Sequence, residues 1–235
     1  MSKTLIDLCK EMSSAAKLQN VVCDLSEGLA ADKLDDREKE YSITISPLVR
    51  SFFSELNGFK LAWEFHDDEL SAANTYIEGS SKILEFHKMF MGFDGRFWRD
   101  ELWFENTPES DLKFLKRLKV LDYYGKDSVQ CVCLEITNED ELSPNIWLYH
   151  QGFKPLRMEF GLNEYVNKLR QTKAIWGWQF FYVDLNLSDK KSEAIKENSE
   201  LVIQWYGKIF SDGFESELRD RYSKSLAKRA GSRKN

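Results

Sequence analysis

Two runs of three consecutive acidic residues are the side chains best suited to chemistry in this 235-residue sequence: Asp67-Asp68-Glu69 and Glu139-Asp140-Glu141. Adjacent carboxylates supply the oxygen ligands that Mg²⁺ and Ca²⁺ prefer, although neither run has the alternating acids and central glycine of an EF-hand loop. Three interpretations stay open: solvated loop side chains, an acidic rim that binds a protein, or a metal site. Gln171-Thr172-Lys173 contains a lysine of the kind that a Mg²⁺ nuclease needs, but at a predicted helix end.

The other reactive side chains do not form a known catalytic pattern. His66, His87 and His150 are the only histidines, and none is spaced for a His-x-x-x-His zinc motif. The scattered glycines form neither a phosphate-binding loop nor a Gly-x-Ser-x-Gly elbow. A Cys–His nucleophilic pair could meet only in space, and the burial expected for Cys131 and Cys133 disfavours a thiolate. The absence of a catalytic constellation favours a protein without a catalytic residue, a metal or a cofactor.

The four cysteines are predicted to be packing residues. Cys9, Cys23, Cys131 and Cys133 include no Cys-x-x-Cys pair. Cys131 and Cys133 alternate within an apolar run, which puts both on one side of a strand. Because cysteines of cytoplasmic proteins are usually small buried side chains, we expect buried thiols rather than metal ligands.

The distribution of charge favours a basic protein as partner. The chain has 33 Lys and Arg against 39 Asp and Glu, a formal net charge of −6. Since residues 221–235 hold six basic residues and no acid, the first 220 residues carry a net charge of −12. Such an acidic body repels nucleic acid and steers basic proteins towards it. The basic tail is either a solvated chain end or a contact for nucleic acid or an acidic surface.

No segment indicates a membrane or an export signal. The sequence has no apolar run of 18 residues, so we expect no transmembrane helix. Residues 1–10 carry Lys3, Asp7 and Lys10 and lack the apolar core of a secretory signal. We therefore predict a cytoplasmic protein without a membrane partner.

Aromatic residues make up 14% of the chain. In single-strand-binding proteins, aromatic residues that stack nucleobases are combined with basic ones, whereas here they interleave with acids and recur at core spacing. Core packing is therefore the main interpretation. In the aromatic-rich residues 90–104, Trp98 and Trp103 are candidates for exposed anchors that bind a partner.

Hydrophobic periodicity predicts the elements that must position these side chains. Residues 3–18 have the spacing of an amphipathic helix, and residues 24–40 could be a short helix or a loop. Ser46-Pro47 begins a further helix, as an N-cap followed by a first-turn proline, and Asn57-Gly58 is predicted to end it. Residues 59–65 then alternate between apolar and polar types, which is typical of a half-buried strand.

The rest of the chain predicts a fold of the α+β class. Three strands follow one another through short turns and should form an antiparallel meander: residues 128–137, 145–150 and 155–160. We predict a single domain in which a mostly antiparallel sheet packs with helices, plus a C-terminal helical extension. The predicted segments are an N-terminal helical segment at 1–40, an α+β domain at 41–183 and the extension with its basic tail at 184–235.

Residues 46–64, SPLVRSFFSELNGFKLAWE, resemble the opening of the SUKH superfamily, also called the Smi/Knr or glucan-synthesis-regulator group. That opening is a proline-led helix, an Asn-Gly stop and an apolar strand with a tryptophan. Further segments resemble later motifs of the family in the same order: residues 79–84, 120–124, 146–149, 162–169 and 177–179. The resemblance covers about residues 41–183.

The resemblance implies a non-enzymatic α+β domain that binds proteins. Bacterial members look like immunity proteins that neutralise toxin domains of contact-dependent systems, often nucleases or deaminases, and eukaryotic relatives are linked to cell-wall signalling. We accordingly predict an immunity protein that covers the active site of a basic toxin domain. Two alternatives stay open: a regulatory scaffold that docks through its C-terminal helix and tail, and a metal-dependent hydrolase that uses Asp67, Asp68 and Glu69.

Overall fold

The computed structural model describes residues 1–72, 76–91, 109–123, 130–150, 153–187 and 190–227. The strands in these ranges are β1 (Gln19–Glu27), β2 (Thr44–Ile45), β3 (Leu56–Phe65), β4 (Ile77–Ile83), β5 (Leu118–Tyr123), β6 (Gln130–Ile136), β7 (Glu141–His150) and β8 (Leu156–Gly161). The helices are α1 (Ser2–Ser14), α2 (Ala31–Tyr41), α3 (Pro47–Glu55), α4 (Asp68–Ala72), α5 (Phe86–Met91), α6 (Glu109–Leu115), α7 (Leu162–Gln171), α8 (Glu193–Ile209) and α9 (Glu215–Ala227).

The strands form one curled sheet in the order β1-β3-β4-β5-β6-β7-β2, and β8 also pairs with β7. Among the described strands, β2 and β7 are parallel and the other neighbours are antiparallel. β2 and β8 share one edge of β7, because β2 pairs at residues 141–142 and β8 pairs at residues 145–148. The predicted α+β fold with a mostly antiparallel sheet is confirmed, including the meander of β6, β7 and β8.

One face of β3 lies in the core and the other lies towards solvent. Leu61, Trp63 and Phe65 are buried, while the intervening Ala62 and Glu64 are partly exposed, as expected where successive side chains point to opposite faces. The helices cover the buried face. Among the described residues, the opposite side of β3 and β4, which carries Ala62, Glu64 and Ser80, is exposed or partly exposed, and we call it the open face.

α8 packs against the buried face of β3. Trp63 meets Phe210, just beyond α8, edge to face with ring centroids 5.3 Å apart, and Phe65 lies 5.9 Å from Trp205 of α8. Residues from each of the three predicted segments join the same hydrophobic core, for example Leu8, Trp63 and Trp205. The described part of residues 184–235 is thus packed on the same core as the sheet.

A buried carboxylate links β4, β5 and α7. Asp122 is inaccessible to solvent and accepts hydrogen bonds from Ser81 Oγ at 2.7 Å, Lys82 N at 2.7 Å and Tyr165 Oη at 2.6 Å. Burial raises the pKa of Asp122 to about 6 against the opposing effect of these hydrogen bonds. Asp122, which lies in a segment that resembles a family motif, is therefore part of the core.

One prediction about local structure near β1 and β3 is wrong, and the helix alternative for residues 24–40 is confirmed in part. α3 ends at Glu55 and Leu56 is already extended, so Asn57-Gly58 lies inside β3 instead of ending the helix. A Cβ at Gly58 would come within 3.1 Å of Ser26 Oγ, so the glycine permits β1 to approach β3 closely. The ambiguous residues 24–40 contain the end of β1 and all but the last residue of α2.

The expectation of buried thiols is confirmed for two cysteines and wrong for the other two. Cys131 and Cys133 are free and buried on β6. Cys9 of α1 and Cys23 of β1 form a disulfide, with Cα atoms 5.7 Å apart, because α1 packs against the inner side of β1. Disulfides are rare in reducing compartments such as the cytoplasm. The bond therefore argues against the predicted cytoplasmic location, which stays a prediction.

Candidate functional site

The two acidic runs singled out in the sequence lie at opposite ends of the sheet. Asp67 follows the end of β3, where Phe65 pairs with Ile77. Glu139 lies in the β6–β7 turn, which follows the far end of β6. The strand registers separate these ends by about eleven residue steps, or roughly 35 Å at ~3.3 Å per residue. The two runs therefore cannot share a ligand.

The run Glu139-Asp140-Glu141 is built into a tight turn beside β2. The backbone N–H groups of Glu139 and Glu141 both donate to Thr137 Oγ1 at 3.3 Å. Asp140 takes a left-handed conformation with φ of 56°, and its carbonyl oxygen accepts a hydrogen bond from Thr44 N at 2.9 Å. The side chains of Glu139 and Asp140 are exposed, and Glu139 Oε2 also accepts a hydrogen bond from Thr137 Oγ1 at 3.4 Å.

The run Asp67-Asp68-Glu69 begins α4. Asp67 Oδ1 accepts a hydrogen bond from Glu69 N at 2.9 Å, which is the usual role of an aspartate at the start of a helix. Glu69 Oε2 also lies 3.3 Å from Lys208 Nζ of α8. We name Glu64, Asp67, Asp68, Glu69 and Glu78 the carboxylate end, because all five lie where β3 ends and β4 begins.

Like charges face each other across the open face of β3 and β4. The antiparallel register places Glu64 opposite Glu78 and Lys60 opposite Lys82, with Ala62 opposite Ser80 between them. Directly opposed side chains have Cβ atoms about 5 Å apart, and like charges in this position are destabilising. The β3–β4 pair is thus divided into an acidic half and a basic half, and in the basic half Asp24 of β1 lies opposite Lys60 and offsets its charge.

The carboxylates of the acidic half are unequally compensated. Burial raises the pKa of Glu78, and the charge of Glu64 raises it further. Glu64 has a lowered pKa because its Oε2 binds Asn20 Nδ2 at 2.7 Å and His66 Nε2 at 3.1 Å. In the part of the chain that the structure describes, no lysine or arginine forms an ion pair with Glu78.

A groove of about 260 Å³ opens beside Glu78. Tyr76, which is 46% exposed, and the half-buried Trp176 contribute its aromatic walls, and Asn198 and Leu201 of α8 line it as well. Tyr76 stacks on His66 with ring centroids 5.5 Å apart. The backbone N–H of Trp176 donates to the carbonyl oxygen of Glu78 at 2.9 Å, so this hydrogen bond sets the two residues side by side at the edge of β4.

A larger groove of about 680 Å³ lies between α1, α7 and the α8–α9 connection. Lys173, the lysine noted in the sequence, is only 8% exposed there, with its Nζ 2.6 Å from Glu11 and 3.4 Å from Asp212. Its carbonyl oxygen accepts a hydrogen bond from the buried Trp63 Nε1 at 2.7 Å. Lys173 thus joins three parts of the fold, and nothing places it beside either acidic run.

The histidines and the free cysteines do not form a catalytic pair in the described part of the chain. His66 Nε2 lies 3.1 Å from Glu64 and His87 Nδ1 lies 3.7 Å from Glu85, and burial lowers the pKa of His150. The hydrogen bond to Cys133, together with burial, raises the pKa of the Cys131 thiol well above its ordinary value, which disfavours the thiolate. Within the described ranges, no three His, Cys, Asp or Glu side chains are gathered closely enough to hold a metal ion.

The sequence-based candidates are only partly represented in this site. Asp67, Asp68 and Glu69 belong to the carboxylate end, whereas Glu139, Asp140 and Glu141 form a separate surface. Trp98 and Trp103 lie outside the described residues. Sequence reasoning missed Glu64, Tyr76, Glu78 and Trp176. Alternation in β3 indicated that Glu64 is exposed, but no sequence signal gave the register that sets it against Glu78.

Comparison with known proteins gives no relative for this chain: no family, no curated protein and no solved structure matches it. The resemblance to the SUKH superfamily therefore rests on the quoted segments alone. None of the helices in the described residues is both long and apolar enough to span a membrane.

Proposed function

We propose that this chain is a non-enzymatic protein-binding domain of the SUKH immunity type, which binds a basic toxin domain and covers its active site. The like-charged pair of Glu64 and Glu78 on the open face, of which Glu78 has no ion-pair partner among the described residues, carries this proposal. Carboxylates that oppose each other lower the stability of the free protein, and a cationic partner would relieve that cost. A basic nuclease or deaminase domain is a partner with the required charge.

The carboxylate end extends this surface beyond the pair. Asp67 and Asp68 add two exposed or half-exposed carboxylates next to Glu64, and Lys208 offsets only Glu69. A surface of one sign speeds the encounter with a partner of opposite sign and makes association depend on salt. Glu139, Asp140 and Glu141 would serve as a second acidic rim, at the opposite end of the sheet.

The scaffold alternative has less support from the C-terminal region. Leu218 of α9 is buried, and Glu217 Oε1 lies 2.9 Å from Lys168 Nζ and accepts a hydrogen bond from Tyr182 Oη. α9 is therefore occupied by contacts within the domain. Deleting residues 213–235 would remove these contacts and so disturb folding, which means that a loss of docking in such a variant would not by itself support the scaffold.

Co-expression tests the proposal. The toxin domain encoded beside the gene would be induced in the cytoplasm of a host cell with and without this chain. Restored growth, together with recovery of a one-to-one complex, is the expected result. If the chain neither restores growth nor binds any such toxin domain, the immunity function is wrong.

A further inference from the structure

The groove beside Glu78 has the size of one side chain. Its volume of about 260 Å³ lies below the roughly 300–1,000 Å³ of pockets that hold cofactors and drug-sized ligands. It is open at the surface through the exposed ring of Tyr76. A protruding residue of a bound protein can therefore enter it.

The charge of the groove selects a cation. Glu78 lines it, and Glu64 faces Glu78 from β3 at a Cβ separation of about 5 Å. Lys60 and Lys82, which lie four residues further along the same strands, are opposed to each other and not to these glutamates. Among the residues that the structure describes, Glu78 thus has no internal cation, and the groove offers a half-buried carboxylate to an external one.

The shape of the groove favours guanidinium over ammonium. Tyr76 and Trp176 provide aromatic faces on which a planar guanidinium can stack while its N–H groups reach a carboxylate. Two glutamates side by side also suit the fork of an arginine, which donates along two edges. A lysine ammonium is a compact, strongly hydrated charge that makes less use of flat walls.

We propose that the Tyr76–Glu78–Trp176 groove binds one arginine side chain of the protein partner, with the guanidinium hydrogen-bonded to Glu78 and stacked on an aromatic wall. This inference rests on the proposed protein-binding function and names the chemistry of the residue that the partner inserts. Glu64 strengthens the site through its charge, from the adjacent strand.

A peptide titration tests the groove without the toxin. Acetyl-Gly-Arg-Gly-amide would be added to the ¹⁵N-labelled full chain, and the indole N–H signal of Trp176, assigned with Trp176→Phe, would be followed. We expect saturable binding with a Kd on the order of millimolar for a single side chain. The lysine and citrulline peptides should bind at least about fivefold more weakly, since they lack the planar fork or the charge.

Two variants in the groove and one control variant outside it show whether the arginine peptide binds in the groove. Glu78→Gln should weaken the arginine peptide about fivefold or more, and Tyr76→Ala about two- to fivefold. Glu197→Gln, which removes an exposed charge from α8 next to the groove, should change the Kd by less than about twofold. The inference is wrong if no saturable shift occurs, if lysine binds as tightly as arginine, or if Glu78→Gln leaves the Kd unchanged.

The failure of the groove and the failure of the immunity function give different results. If a toxin domain binds with the same Kd to the wild type and to Glu78→Gln, the arginine site is wrong and the protein-binding function stands. If the arginine peptide binds as described and no toxin domain does, the site stands and the immunity function is wrong.

Discussion

Replacing Glu78 by glutamine should stabilise the free protein at neutral pH. The pKa of Glu78 in the folded state is raised above its ordinary value by burial and by Glu64. The favourable contribution of Glu78 to the free energy of unfolding is therefore complete below the ordinary pKa of a glutamate, and it is lost as the pH rises through the raised pKa. Glutamine keeps the size of the side chain and does not ionise, so the free energy of unfolding of the variant does not fall as the pH rises through this pKa.

The size of the effect follows from the position of the charge pair. Like charges directly opposite each other in an antiparallel sheet cost about 0.2–1 kcal/mol, and the partial burial of Glu78 adds to that cost. We expect the free energy of unfolding to rise by about 0.5–1 kcal/mol at pH 7.5. For a chain of this length, that change corresponds to an increase in Tm of about 1–4 °C.

Urea denaturation at pH 7.5 and at pH 3.5 measures the effect, with Glu197→Gln as a control for the loss of one exposed carboxylate. At pH 3.5 the wild-type Glu78 is protonated, so the gain should disappear. Two results would refute the reasoning: a variant less stable than the wild type at pH 7.5, or a gain of the same size at both pH values. The first result would mean that Glu78 has a compensating partner, and the second that the gain does not come from the charge of Glu78.

Three further predictions concern the fold that positions the site. Asp122→Ala should lower the free energy of unfolding by about 2–4 kcal/mol, because two hydroxyls and one backbone N–H lose their buried acceptor; a loss below about 1 kcal/mol in urea denaturation would contradict this role. Gly79→Ala should cost about 1–3 kcal/mol or more, since a Cβ there would overlap the Trp63 indole, and an unchanged Tm would exclude that overlap. Cys9→Ser combined with Cys23→Ser should cost about 3 kcal/mol in oxidising buffer and nothing in reducing buffer, as the bond closes a loop with a sequence separation of 14; equal loss in both buffers would show that packing is responsible.

The parts of the fold that sequence reasoning predicted are those with strong local patterns. The alternation in residues 59–65 predicts β3 because a half-buried strand needs that period. The Ser46-Pro47 start of α3 is likewise a local signal, and α3 does begin at Pro47. β1 was missed because, as an exposed edge strand, it lacks a regular apolar face.

The candidate site could not be predicted because it depends on pairing between distant residues. Glu64 and Glu78 are opposed only through the β3–β4 register, which no tight two-residue turn fixes in the sequence. Trp176 joins them because Ala174 and Trp176 bond to the backbone of β4 after α7 ends. The acidic run at residues 67–69 indicated the right end of the sheet and gave no indication of the groove.

The most direct test of the account is the association of this chain with an inactivated form of any toxin domain that proves to be encoded beside its gene. Association and dissociation rates would be measured by stopped flow at 50 mM and 300 mM salt, for the wild type, for Glu64→Gln combined with Glu78→Gln, and for Glu197→Gln. We expect a one-to-one complex whose association slows markedly at high salt and whose dissociation is accelerated by the double substitution but not by the control. Tight binding that is insensitive both to salt and to Glu64 and Glu78 would contradict the central role of these carboxylates.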